Sequence, residues 1–411
     1  MDKRTVLSAH NSGRFYKEGL FMALKLTKDF NGVVFAPRKE EVKPGGGVLY
    51  PRVIELHCAG EENGTLLAAF EYYADKEPAV IPIFKSTDGG KSWEHLSDVE
   101  DTKNHWGMRF QPVLFELPTQ CGELPAGTLL FAGNSIPMQA FAPDNPPDFV
   151  GTELQLYISR DHGRTWEYRS TFAYGGVPVE YNWDCLGPVW EPFIYINAYG
   201  DITVVYSDEK PHTERILNQC LAVISSPDGG KTWGEPKLVV AIPDGNRRPG
   251  MAIVTKLPNG KYFMCYEIVN DPDQGIYFKL SDDGMDFGDP ALYGTRAETA
   301  DGKFVGSMPY CVWTKNGGPN GTIILSGKRD SGWLGLRDPG QFLVNYNLGE
   351  GPWEQVNMLV SYDSRIHQAG WSMGMAVIEN DSKLIQLAPT QMSPVLLQVS
   401  YGIGVMETVE D

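Results

Sequence analysis

Apolar residues along this chain come in short bursts: Thr65 to Tyr72 (TLLAAFEY), Ile202 to Tyr206 (ITVVY) and Tyr262 to Glu267 (YFMCYE) are examples. Their alternation and their β-branched and aromatic content predict strands. Turn signals such as Pro258-Asn259-Gly260 separate them and predict tight hairpins. Nowhere does an apolar stripe recur at helical spacing for long enough to predict an amphipathic helix. No apolar run approaches the roughly 18 residues a membrane-spanning helix needs. The pattern predicts an all-β chain of many short strands.

A second pattern lies over the first. Ser86 to Trp93 (STDGGKSW), Ser159 to Trp166 (SRDHGRTW) and Ser226 to Trp233 (SPDGGKTW) share the form Ser-x-Asp-x-Gly-x-(Ser/Thr)-Trp. A degenerate fourth copy is read with Asp282, Gly284 and Phe287, and with Leu280 in the Ser position. The Asp positions 88, 161, 228 and 282 are 73, 67 and 54 residues apart. A motif recurring at that interval in a β-rich chain marks a repeated sheet. The carboxylate accepts N–H groups of its own turn, Gly supplies a positive φ, and the Trp packs under the turn. These aspartates report the fold and not the chemistry. The motif resembles the Asp-box of the sialidase-like superfamily, and its spacing predicts a β-propeller of four-stranded antiparallel blades. The 411 residues, at about 65 per blade, give roughly six blades in one domain over residues 1–411, two of them without a recognisable box.

Composition narrows the partners. A formal net charge of −17 argues against nucleic acid or an anionic membrane. The beginning of the chain lacks the apolar core of a secretory signal, so the expectation is a cytoplasmic protein or one whose signal has been removed. Cys58, Cys121, Cys185, Cys220, Cys265 and Cys311 stand singly and are read as buried free thiols. Asn63, Asn320 and Asn380 head glycosylation sequons, which matter only on a secretory route. The sequence shows no metal-ligand spacing, nucleotide loop or nucleophile elbow, so the expected chemistry is that of carboxylates, with no cofactor.

Propeller sites sit at one end of the channel, so the useful search is for charged or aromatic residues embedded in apolar strands. Gly187 to Phe193 (GPVWEPF) puts Glu191 between Trp190 and Pro192. A carboxyl in such surroundings holds its proton near neutrality, as a general acid must; the alternative is a solvent-facing strand edge. Glu267 ends an apolar strand and is read as a nucleophile or as a structural partner of an arginine. Arg52, Arg109, Arg247, Arg248 and Arg365 lie in strand-like segments, where arginines pair with carboxylates or bind ligand. Asn134 offers a polar strand end and Trp106 a face for a sugar.

Beyond the boxes, the stretches PRVIEL (from Pro51), WGMRFQP (from Trp106), LPAGTLLFAGNSIP (from Leu124), PVWEPF (from Pro188), YSDEK (from Tyr206), RPGMAIVTKLPNGKYFMCYE (from Arg248), GGPNGTI (from Gly317) and SYDSR (from Ser361) are similar, in order, to family 93 glycoside hydrolases. The resemblance covers roughly residues 50 to 370. It implies a six-bladed exo-α-L-1,5-arabinanase that releases arabinobiose with retention. It also implies Glu191 as acid/base, Glu267 as nucleophile and Tyr362 at the reacting centre. Arg52, Arg109, Arg248 and Arg365 are then expected to hold Glu267 ionised or to bind sugar hydroxyls, with Trp106, Asn134 and Trp190 as further substrate contacts. Retention predicts carboxyl groups about 5–5.5 Å apart. Two rivals share these parts. A sialidase would use Arg52, Arg248 and Arg365 on a substrate carboxylate, with Tyr362 and Glu267 as nucleophile pair. A non-catalytic propeller would need neither glutamate.

Overall fold

The computed structural model describes residues 16–17, 20–43, 46–138, 151–176, 187–210, 216–328, 340–393 and 395–410. They form six antiparallel sheets. Blade one comprises Val48–Glu55, Leu66–Tyr72, Ile81–Ser86 and Glu94–Val99, and blade two Met108–Glu116, Leu129–Ser135, Thr152–Ser159 and Glu167–Gly175. Blade three comprises Val189–Ile196, Ile202–Asp208, Cys220–Ser226 and Lys237–Val240, and blade four Arg248–Lys256, Tyr262–Val269, Ile276–Ser281 and Thr295–Arg296. Blade five comprises Ser307–Thr314, Thr322–Lys328, Gln341–Asn345 and Glu354–Asn357. The first strands of successive blades touch in a closed ring and line the channel. This is the six-bladed propeller that the repeat predicted.

Blade six joins the two ends of the chain. Gly374–Ile378, Lys383–Ser393 and Leu396–Glu410 come from the C-terminal end, and Leu20–Phe35 adds the next strand from the N-terminal end. Tyr16–Lys17 adds a short fifth strand outside it. The register runs from Met22 opposite Glu410 to Phe35 opposite Val399.

The boxes behave as turns. Asp88 Oδ1 accepts the Lys91 and Ser92 N–H groups, each at 3.0 Å, and the Ser86 hydroxyl at 2.8 Å. Trp166 and Trp233 are half-buried and reach the preceding blade. The Trp166 Nε1–H donates to Ser97 Oγ and the Trp233 Nε1–H to Ser170 Oγ, so two boxes tie neighbouring blades together. The fourth box is corrected by one position. Ser281 and Asp283 make the turn, with Asp283 Oδ1 accepting the Met285 and Asp286 N–H groups. Leu280 and Asp282 take no part in it, and Asp282 is an exposed partner of Lys261. The turn is one residue shorter here, so alignment on Gly284 misplaced the aspartate. Blade five carries an unrecognised version, with Asn345 Oδ1 accepting the Asn347 and Gly349 N–H groups and Trp353 buried below. Cys121, Cys220, Cys265 and Cys311 are buried free thiols as expected, whereas Cys58 is exposed because it lies in the loop after its strand. Cys185 lies outside the described residues.

Candidate active site

The inner strands of blades one to five each break register near one end. The shifts fall between Leu49 and Arg52, Phe110 and Val113, Trp190 and Phe193, Gly250 and Ile253, and Ser307 and Tyr310. Inside each shift one residue is left-handed: Tyr50 (φ 53°), Gln111 (54°), Glu191 (59°), Met251 (55°) and Met308 (55°). In blade six Ser372 (52°) lies just before the inner strand. Positive φ is costly for these residue types, and a bulge of this kind re-aims one side chain out of the pleat. Pro51, Pro112, Pro192 and Pro309 follow four of them, at a place where the ladder needs no N–H.

Glu191 is therefore a bulge residue, aimed by its backbone. Its Oε2 accepts the Ser207 hydroxyl at 2.6 Å and the Met251 N–H at 2.7 Å. Its own N–H donates to Gln111 Oε1 at 3.1 Å. Glu267 lies on the second strand of blade four, opposite Gly250. It is 8% exposed, and its Oε2 accepts the Met308 N–H at 2.7 Å. A Cβ on Gly250 would stand 3.1 Å from Glu191 Oε2 and 2.5 Å from Gln219 Nε2, so glycine leaves these two side chains their present positions. Burial pushes the Glu191 carboxyl up, against the Ser207 and Met251 hydrogen bonds and the Arg248 charge. Burial, and then the charge of Glu191, push Glu267 up to about 7. The negative charge of Glu191 thus favours the protonated form of Glu267.

Glu71 is the residue that sequence reasoning missed. It occupies in blade one the station of Glu267 in blade four, opposite Leu49 just before the bulge. Asn134, Ser207 and Lys328 hold the same station in blades two, three and five. Glu71 and Glu191 line one cavity of about 240 Å³, with Tyr73, Gln111, Trp190 and Trp371 among its walls. The signal was present: PheGlu at 70–71 and TyrGlu at 266–267 end equivalent apolar strands. Gln111 was equally legible, since the pair Gln-Pro repeats the Glu-Pro of the next blade.

The remaining candidates divide. Trp190 borders the cavity and donates Nε1–H to Glu209 at 2.9 Å. Arg248 donates to Glu209 at 2.7 Å and Gln219 at 2.9 Å, and its charge lowers the proton affinity of both glutamates. Asn134 is fully buried, with Nδ2 donating to the Val189 carbonyl at 2.8 Å and Oδ1 without a hydrogen-bond partner. Arg52 is buried between the rings of Tyr50 and Tyr310 and donates to the Ser372 carbonyl and hydroxyl. Trp106 and Arg109 sit apart from these, around a second cleft of about 510 Å³ where Arg109 is ion-paired with Glu77. Tyr362 is buried with its ring over Gly370. Arg365 is 84% exposed on its side chain and paired with Asp363, and Arg247 pairs with Asp244 and Asp271. Of the four arginines expected to keep Glu267 ionised, Arg248 is the one whose charge reaches it. The three arginines a sialidase would aim at a carboxylate are each committed elsewhere: Arg52 to Ser372, Arg248 to Glu209 and Gln219, and Arg365 to Asp363.

A scan against protein-family models and a search of curated proteins return no match. Solved structures do match. An α-L-arabinanase of Penicillium chrysogenum, complexed with arabinobiose, is 33% identical over 92% of this chain and 98% of its own, with a TM-score of 0.75. The GH93 α-L-arabinofuranosidase of Fusarium graminearum, also with arabinobiose, is 30% identical over 92% of this chain and 97% of its own, again with a TM-score of 0.75. A sialidase of Trypanosoma rangeli is 11% identical with a TM-score of 0.56, a likeness of fold alone.

Proposed function

The chain belongs to glycoside hydrolase family 93, and from that premise we propose that it releases arabinobiose from the end of α-1,5-linked L-arabinan or its oligosaccharides by double displacement. Support for the sugar comes from the two relatives, both solved with arabinobiose bound. Support for the mechanism comes from one observation: Glu191 and Glu267, on adjacent blades, both resist ionisation, and Glu267 is pushed up to about 7 in part by the charge of Glu191. Such a pair carries one proton over the range in which double displacement needs one acid and one carboxylate.

In the proposed cycle the proton resides on Glu191 when a glycosidic oxygen lies against it. Glu191 donates that proton to the leaving oxygen as the bond to the anomeric carbon breaks, and Glu267 attacks the same carbon to form a glycosyl ester. Glu191, now ionised, takes a proton from water, and the hydroxide cleaves the ester, releasing the sugar and restoring both groups. The Arg248 charge and the Met308 N–H favour the ionised form of Glu267. Tyr362 lines the reacting centre in this reading, and Trp190 borders the sugar.

Assignment of the two roles is testable with 4-nitrophenyl α-arabinobioside, whose leaving group needs little protonation. Glu191→Gln should lose on the order of 10²-fold or more on arabinan, lose far less on the aryl substrate, and recover with azide. Glu267→Gln should be inactive on both and should not be rescued. The reverse pattern would exchange the roles, and absence of arabinobiose from wild-type digests would end the arabinanase reading.

A further inference from the structure

Glu71 enters neither step of the proposed cycle, yet it is built into the site. Its Oε1 accepts the Gln111 N–H at 2.8 Å and its Oε2 the Tyr73 hydroxyl at 2.8 Å. Gln111 in turn receives the Glu191 N–H on its Oε1, and Glu191 receives the Met251 N–H. Acceptor side chains on blades one, two and three thus each hold the bulge of the following blade, and Glu71 begins the series. It is 4% exposed and shares a cavity with Glu191.

We propose that Glu71 is a positioning residue for the hydrolytic site: through Gln111 it fixes the backbone that aims Glu191, and as a third carboxyl in the same cavity it adds the negative charge that helps keep a proton there. This rests on the reading of Glu191 as the acid. Arg52 and Tyr50 face Glu71 from the inner strand of blade one, Tyr73 faces it from the end of its own strand, and Glu191 faces it from blade three. Glu191 also faces Arg248 and Glu209. Burial is the main cause that pushes Glu71 up to about 7, and the Glu191 charge adds to it, while Gln111, Tyr73 and Arg52 oppose the rise. Like-charge coupling is reciprocal, so a carboxylate at Glu71 must raise the proton affinity of its neighbours.

The test separates geometry from charge. Glu71→Gln keeps an oxygen acceptor for the Gln111 N–H but removes the charge, whereas Glu71→Ala removes both. Protein labelled with ¹³C at the glutamate carboxyls is titrated by NMR without substrate, with Glu71→Gln, Glu191→Gln and Glu267→Gln assigning the three resonances. In Glu71→Gln the highest carboxyl midpoint of the cluster should fall by about half a unit or more, and in Glu191→Gln the Glu71 midpoint should fall likewise. On arabino-oligosaccharides, the alkaline limb of the rate profile should move to lower pH in Glu71→Gln with kcat at its optimum largely kept. Glu71→Ala should lose on the order of 10²-fold in kcat. Should the alanine variant fail to fold, Gln111→Ala, which removes the acceptor of the Glu191 N–H, carries the geometry arm with the same expected loss, and Tyr73→Phe checks the charge arm independently: losing the hydroxyl should raise the Glu71 midpoint and lower the Glu191 midpoint. Midpoints that do not respond to one another, or equal activity with an unchanged pH profile in all Glu71 variants, would overturn the proposal. A wild-type protein with reciprocal midpoints but no glycosidase activity would instead sink the hydrolase mechanism and leave the Glu71–Glu191 coupling standing.

Discussion

Glu267 sits where a negative charge is costly, 8% exposed and beside another carboxyl, and that cost has a sign in pH. A carboxyl with a raised folded value binds more protons in the folded state than in the unfolded chain between its ordinary value, near 4.5, and about 7. Stability from Glu267 and Glu71 is therefore present at acid pH and lost as pH rises through that window, and Glu191, also pushed up by burial, acts in the same direction. Glu267→Gln should raise the melting temperature at pH 8 and change it little at pH 4, which calorimetry at the two pH values checks. Asp88 and Asp228 act in the other direction. Hydrogen bonds within their turns hold them at about 2, so their contribution is present above their ordinary range and lost as pH falls toward 2. Asp283→Ala, which removes four acceptor contacts, should cost about 2 kcal/mol in denaturant unfolding, whereas Asp282→Ala should be near neutral because that side chain is 86% exposed.

At the scale of the element, the inner-strand bulge converts a structural repeat into a site. Most blades bulge with a residue that cannot ionise near neutrality, and blade three places Glu191 there. The second strand offers one station beside each bulge, and blades one and four fill it with Glu71 and Glu267. Gly250, opposite Glu267, leaves room beside it for the Glu191 and Gln219 side chains. Gly250→Ala should fold, because the outer strands of blade four are untouched. Its new methyl group, 3.1 Å from Glu191 Oε2, should displace that carboxylate and lower kcat on the order of 10- to 10²-fold with a smaller change in KM. Steady-state kinetics and a melting curve on one preparation check both parts.

For the whole molecule, closure is the decisive step. The ring of inner strands closes where Gly374–Ile378 meets Val48–Glu55, and the outer side of blade six is completed only when Leu20–Phe35 pairs with Leu396–Glu410. Removing residues through 35 exposes a long strand edge and breaks the link between the first and last parts of the chain. The truncated protein should melt lower by on the order of 10 °C or more and aggregate, read by light scattering during thermal unfolding. The same closure brings blade six against blade one, where Arg52 reaches Ser372 across the seam. An arginine read from sequence as a ligand contact is thereby spent on holding the ring.

The strands, the turns and the number of blades were legible in the chain because alternation, Gly and Asp act over a few residues, and a local pattern that recurs keeps its spacing in the sequence. Glu191 and Glu267 were legible for the same reason, as carboxyls set among apolar neighbours. What the chain order hid was which polar groups share a cavity. Glu71 and Glu191 are 120 positions apart in the chain, and only the folded propeller sets them in one cavity, where each charge raises the cost of the other. The allocation of the arginines was hidden in the same way. Arg365 and Arg52 look alike in sequence, but one meets solvent and the other the centre of the ring, because burial and pairing depend on blades that fold from distant parts of the chain.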